Sequence, residues 1–218
     1  MTAPSHHDAM TRADPAALLD EAIGFALGAV HEVTVQRLDG PTPCAGWTLR
    51  TLLLHVTDSL GALCDGLGTG RLDLLASSAP ALAAASCSLA DALAAALDDP
   101  VPSLRDQAAR LRGVRAAGAE RRGSVMIADA ALDARIVLGV GAVELAVHGW
   151  DICRACGVQR PIPPGLAFEL AGICALVVAA DTRHPAFAAS VAVPDRACPS
   201  DHLVGYLGRD PGLAFDPL

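Results

Sequence analysis

Lysine and asparagine are absent from this chain, and all 16 basic residues are arginine. Without lysine there is no Schiff-base nucleophile and no phosphate-cradling lysine of the P-loop kind. Aromatic residues make up only 3% of the sequence. With alanine abundant, that scarcity favours packed helices over a sandwich or barrel. Basic charge is also in deficit, at a net −8, which excludes nucleic acid as the expected partner and leaves a small-molecule substrate. No apolar run is long: "LAGICALVVAA", Leu170 to Ala180, falls short of the roughly 20 residues of a spanning helix, so no membrane partner is expected. The N-terminal "MTAPSHHDAM" lacks the apolar core of a signal peptide. The seven cysteines (Cys44, Cys64, Cys87, Cys153, Cys156, Cys174 and Cys198) are odd in number and scattered, which is not a disulfide framework. Together these absences lead to the expectation of a reduced, soluble, cytoplasmic protein.

What is present is a core. With 218 residues, 52% of them hydrophobic, the chain is long enough for one domain. Residues 1–12 read as a disordered N-terminus and 13–218 as a single helical domain. Asp14 and Pro15 open a first helix expected to reach about Leu38. "DGPTPCAG" breaks it. Thr48 caps a second helix that ends near Gly66 or Gly68. "SLADALAAALDD", Ser88 to Asp99, gives a third helix stopped by Pro100. Residues 101–128 are rich in arginine and glycine with no clean period and read as a long connection. Asp129 caps a fourth helix running to about Cys156, with Gly157 as its stop. A fifth helix follows Pro163 and Pro164, and the tail holds a short extended piece and a short helix capped by Ser200 or Asp201. The fold class expected is all-α, a helical bundle with a long crossover connection and an extra C-terminal helical segment.

The stretch "VGAVELAVHGWDICRAC", Val140 to Cys156, is an apolar helix that carries Glu144, His148 and Asp151. Spacings of four and three residues place all three on one face. A buried carboxylate needs pairing, hydrogen bonds or a metal. Glu144 and His148, one turn apart, can share an ion, and His55, after three leucines on the second helix, supplies a third donor. His55 alone reads as a satisfied core histidine; with the other two it reads as a ligand. An N, O, N set leaves coordination positions open, as in a catalytic zinc site, and nickel or iron fits the same donors. Asp151 either orients a ligand imidazole or acts as proton acceptor, and is the candidate catalytic residue. Its ordinary alternative is a salt bridge to Arg154 or Arg135. Trp150 reads as core or pocket wall.

Other features carry less. "CRAC", Cys153 and Cys156, lies within a helix and has no second pair, so it reads as packing thiols, with Cys156 near the metal face. Cys44, in the turn before the second helix, reads chiefly as structural, with a place near the pocket as the alternative. The arginines at 105, 110, 112, 115, 121 and 122 read chiefly as a solvated surface, with recognition of a carboxylate or phosphate as the alternative. His31, His184 and His202 have no partner at ligand spacing.

The segments "PTPCAGWTLRTLLLHV", "VELAVHGWDICRACG" and "LGRDP" resemble the N-terminal domain of mycothiol-dependent maleylpyruvate isomerase and the related DinB-like metal-binding proteins of actinobacteria. The resemblance covers roughly residues 14–66, 131–160 and 190–212. It implies a DinB-like four-helix bundle holding a divalent metal, usually zinc, on His55, Glu144 and His148. It also implies mycothiol or another small thiol as cosubstrate, activated at that metal for S-transfer or thiol-assisted isomerisation. A non-catalytic metal- or ligand-binding module is the reading of a different class, and a metal-free buried polar network is a third. The isomerase carries a second domain for which this chain has no room, so maleylpyruvate is not carried over as substrate. Monomer and homodimer are both compatible with the sequence.

Overall fold

The computed structural model describes residues 13–72, 98–118, 123–178, 183 and 187–213. Helix α1 spans Pro15–Val30, with Asp14 accepting the Ala16 N–H at 3.2 Å. It stops well before Leu38. Val33, Thr34 and Val35 follow, β-branched residues that resist helix, and Thr34 is extended at φ −122°. After a 3-10 turn, Val35–Arg37, Leu38 is buried. It reaches the core from a loop, which is why its apolar character extended the helical pattern falsely.

Helix α2 spans Leu49–Thr69, with the Thr48 side chain accepting the Thr51 N–H. It runs through Gly66 and Gly68, the expected stops, to Gly70, whose φ of +77° is left-handed. Short strand β1, Arg71–Leu72, follows. The third helix expected over 88–99 falls, except for its last two residues, outside the described residues. The expected connection over 101–128 contains a helix instead: α3, Val101–Ala116. Leu104, Ala108 and Leu111 form its buried stripe, and α3 packs chiefly on α2. So narrow a stripe in an otherwise polar segment gives little periodic signal. Two of the arginines there form ion pairs: Arg110 holds Asp65 of α2 at 2.7 Å, and Arg115 pairs with Asp20 of α1.

A small sheet departs from the all-α expectation. Strand β2, Ser124–Ile127, lies between β1 and β3, Ala130–Asp133. It pairs parallel with β1 (Arg71 opposite Met126) and antiparallel with β3 (Val125 opposite Leu132). "SVMI" has the alternation and apolar character of a strand, and Val125 is fully buried. Asp129 therefore sits in a hairpin turn, beside Ala128 at φ +51°. The cap of the next helix is Asp133, which accepts the Arg135 N–H at 2.8 Å. The fold is mostly helical, with this sheet closing one end of α2.

Helix α4, Ala134–Ala155, forms the centre of the fold. By length and composition it could cross a membrane, yet 83% of its most apolar window is buried by the rest of the chain. It packs most extensively along α1, and also against α2 and α5. The close approach to α1 depends on Gly149: a Cβ there would lie 3.0 Å from Phe25 Cδ1 and 3.1 Å from the Ala26 Cα. Helix α5 spans Pro164–Val177 and α6 spans Pro199–Tyr206. Ser200, an expected cap, is buried and accepts the Ile162 N–H at 3.0 Å; α6 begins two residues earlier than a Ser200 cap would start it, after Cys198.

Gly149→Ala should destabilise the protein by about 1–3 kcal/mol in urea unfolding, because one contact is to backbone and cannot turn aside. Gly113→Ala, on α3 with no heavy atom within 4 Å of the added carbon, should instead be neutral or stabilise by about 0.5–1 kcal/mol.

Candidate metal centre

His55 comes from the middle of α2, and Glu144 and His148 from successive turns of α4. Across that helix pair Glu144 Oε1 lies 2.6 Å from His55 Nε2 and 3.3 Å from His148 Nε2. Ser59, one turn after His55, donates to the same oxygen at 3.2 Å. Donor atoms of His55, Glu144 and His148 all lie within 4.8 Å of one another. The His55 and Glu144 side chains are 39% and 31% exposed, whereas His148 is buried. One side of the cluster thus opens outward while the other is enclosed.

Behind His148 lies a second polar layer. Its Nδ1 is 2.9 Å from Asp151 Oδ2, and Asp151 has no exposed surface. Cys44 Sγ donates to the same carboxylate oxygen at 3.3 Å. Arg209, from the turn after α6, donates through Nη2 to Oδ2 at 2.9 Å and through Nε to Oδ1 at 3.4 Å. Neither Arg154 nor Arg135, the partners in the alternative reading of Asp151, takes that place. Arg154 lies over the Trp150 ring and donates to the Leu213 carbonyl.

The loop before α2 delivers two further groups. The Thr42 hydroxyl accepts the Cys44 N–H at 3.1 Å and lies 3.0 Å from the Trp47 carbonyl; the Trp47 N–H returns to the Cys44 carbonyl at 3.0 Å. This knot aims Cys44 at Asp151 and stands Trp47 against the histidines, with its ring 4.9 Å from that of His55 and 6.3 Å from that of His148. The tryptophan at the centre is thus Trp47, while Trp150 is core.

Electrostatics follow from these contacts. Burial alone would raise the Glu144 carboxyl, but hydrogen bonds from His148 and His55 outweigh it and hold the group well below the ordinary carboxylate range. Burial opposes charge on His148, yet Asp151, Cys44 and Glu144 together raise it well above its ordinary value. Asp151 is held below its ordinary range because Arg209 and His148 overcome the cost of burial. The donor set fits a divalent cation: two imidazole nitrogens and one ionised carboxylate oxygen converge, and the buried imidazole has a carboxylate behind it.

A family model described as the mycothiol maleylpyruvate isomerase N-terminal domain matches residues 19–153. The chain belongs to this family. Two uncharacterized proteins of Mycobacterium tuberculosis, Rv0738 of strain H37Rv and MT0763 of strain CDC 1551, are 26% identical over 179 residues, covering 81% of this chain and 87% of theirs. No solved structure gives a significant match. The family span contains Cys44, His55, Glu144, His148 and Asp151; Arg209 lies outside it.

The four residues expected from the sequence, His55, Glu144, His148 and Asp151, come together in the fold. Cys44, expected chiefly as structural with a place near the pocket as the alternative, faces Asp151. Trp47 and Arg209 lie in the motifs "PTPCAGWTLRTLLLHV" and "LGRDP" without an assigned role, and Ser59 is not singled out. Cys153 and Cys156 are buried, and among the described residues neither joins a converging donor group. His31 bonds the Leu27 carbonyl of its own helix.

Burial pushes the Cys153 and Cys156 thiols up to about 11 and Cys174 up to about 12. Alkylation at pH 8, mapped by mass spectrometry, should therefore modify the exposed Cys198 and spare all three until the protein unfolds. Asp151 gives a pH prediction. Its folded pKa is depressed, so its stabilisation is present above the unfolded carboxylate value of about 3.9 and is lost as pH falls toward the folded value. Asp151→Asn should be much less stable than wild type at pH 7, and the gap should shrink as the pH drops below about 4.

Proposed function

We propose that this protein is a divalent-metal enzyme that uses a low-molecular-weight thiol, of the mycothiol kind, for S-transfer or thiol-assisted isomerisation of a small electrophile. One observation carries the reading: three donors from two helices converge on one point that is open on one side and buttressed on the other. His55, Glu144 and His148 would hold the ion, zinc first, with nickel or iron compatible with the same donors. When bound, such a cation lowers the pKa of a thiol beside it, so that the sulfur is nucleophilic at neutral pH. Membership of the mycothiol-named family supports the choice of thiol.

The chain's own groups have separate tasks in this reading. His55 and Glu144, both part-exposed, form the rim that an incoming molecule meets. Ser59 donates to Glu144 and limits its rotation. Trp47 walls the histidines on one side and offers an aromatic face to an apolar portion of the substrate. Asp151 is fully buried and acts through His148, holding that ring with Nδ1–H donating and Nε2 facing the donor cluster. The cytoplasm, where reduced small thiols are held, suits six free thiols among the described residues.

Elemental mass spectrometry of untagged protein tests the site. Near-stoichiometric metal is expected in wild type and is lost in folded His55→Ala and Glu144→Ala. Absence of metal after supplementation would sink the proposal and leave a polar network. Thiol-dependent turnover that disappears in His55→Ala supports the enzyme; metal binding with no turnover over a broad set of electrophiles supports a binding module. The contacts of His148 raise it above its ordinary value, and a cation takes the neutral ring, so uptake should release protons and zinc affinity should rise with pH in titration calorimetry across buffers.

A further inference from the structure

Arg209 stands outside the family span, yet it touches the innermost charged group of the centre. We propose that Arg209 is a positioning residue: it clamps Asp151, and through Asp151 it fixes the His148 ring with Nε2 facing His55 and Glu144. The inference deepens the metal reading and rests on it for one of its two readouts.

Three donors meet on Asp151 Oδ2: His148 Nδ1 at 2.9 Å, Arg209 Nη2 at 2.9 Å and Cys44 Sγ at 3.3 Å. Without Arg209 that oxygen has two donors and Oδ1 loses the Nε contact at 3.4 Å. The two-point fork sets the plane of the carboxylate, which a single donor does not. The guanidinium is itself anchored. Its Nη1 donates to the Leu207 carbonyl at 3.1 Å, and the Arg209 N–H closes the end of α6 on the Val204 carbonyl at 2.9 Å. Gly208 makes the intervening turn at φ +86°, against Ala188, where a Cβ would lie 2.9 Å from the Ala188 Cβ. Helix α6 is in turn docked through Ser200 on the Ile162 N–H. The C-terminal segment therefore belongs to the metal centre.

Cys44, His148 and Asp151 also form a converging donor group. A cation there would face Arg209 Nη2, which is 2.9 Å from Asp151 Oδ2 and 3.7 Å from Cys44 Sγ. Like-charge repulsion in a buried setting makes this layer an anchor and not a second ion site.

The test uses the full chain and two readouts: zinc affinity by chelator competition, and the His148 Nδ1–H resonance in metal-free, 15N-labelled protein. Arg209→Gln should keep its helical content and lose about 10- to 100-fold in zinc affinity. Arg209→Lys, which keeps the charge without the fork, should fall between the two. The double variant Asp151→Asn with Arg209→Gln should lose no more than the worse single variant, since the two act as a unit. The Nδ1–H resonance, protected in wild type, should be lost to exchange in Arg209→Gln. Retention of that resonance, or wild-type zinc affinity, in a folded variant overturns the proposal whatever happens to the melting temperature. A wild type that binds no zinc defeats the metal reading alone, and the resonance then decides the positioning role. Two zinc ions per chain, one lost in Cys44→Ser, would overturn the anchor in favour of a second site. Should Arg209→Gln fail to fold because Asp151 is stranded, Arg209→Lys, which keeps a positive charge beside Asp151 but not the fork, gives both readings.

Discussion

A carboxylate without exposed surface is the constraint around which the centre is arranged. Asp151 sits on the inner face of the central helix, where an ionised group without partners costs several kcal/mol. Its compensation comes from three places far apart in sequence: His148 on its own helix, Cys44 in the loop before α2, and Arg209 after α6. Each partner ties a separate segment to α4. The loop is held by the Thr42 knot, α2 follows directly from that loop, and α6 is drawn in by the guanidinium. The polar layer behind His148 thus contributes to the specificity of the fold as well as to the site. A purely apolar layer of the same size would favour burial but would not dictate which segments meet.

The same helix has to be both core and site, and the packing allows it. Gly149 lets α1 close onto α4 beside His148, so the most extensive helix contact and the most buried ligand imidazole are one residue apart. On the α2 side the packing loosens enough for His55 and Glu144 to keep contact with solvent. A ring fixed firmly on one side and donors able to adjust on the other is the division that the proposed function, an ion held with access for a second molecule, would call for. Close packing supplies the first property, since a ring shift at His148 would have to displace Asp151 or break its 2.9 Å contact with that carboxylate. Partial exposure supplies the second.

What the sequence makes legible is governed by range. Glu144, His148 and Asp151 share one helix, so their common face follows from a period of 3.6 residues. His55 is legible only beside Glu144 and His148: it borders the apolar stripe of α2, between Leu53 and Val56, with its side chain still part-exposed. The mostly helical character follows from alanine content and apolar spacing. The missed features need long-range information. Nothing near Arg209 shows that its partner is Asp151, and a loop cysteine gives no hint of the carboxylate it faces. Helix α3 was hidden because only Leu104, Ala108 and Leu111 carry its period among polar neighbours. The hairpin at 124–133 was hidden because Asp129 is as good a helix cap as it is a turn residue, and strand pairing with residues 71–72 decides between the two. The end of α1 was misplaced because a buried Leu38 contributes the same signal from a loop as from a helix.

Charge explains why the ligand cluster and the anchoring layer stay distinct although they share one imidazole. Each ring nitrogen of His148 faces a carboxylate, Glu144 on one side and Asp151 on the other. Without a metal, protonating the ring is the simplest way to satisfy both. In the proposed metal-bound state, an ion on the Nε2 side would supply that positive charge without disturbing the Nδ1–H···Asp151 bond, so the two states would share one side-chain arrangement. Arg209 enforces the asymmetry by already neutralising Asp151, which leaves Glu144 as the carboxylate whose charge remains available to an incoming cation. A residue after the last helix therefore bears on where a positive charge is best accommodated between α2 and α4.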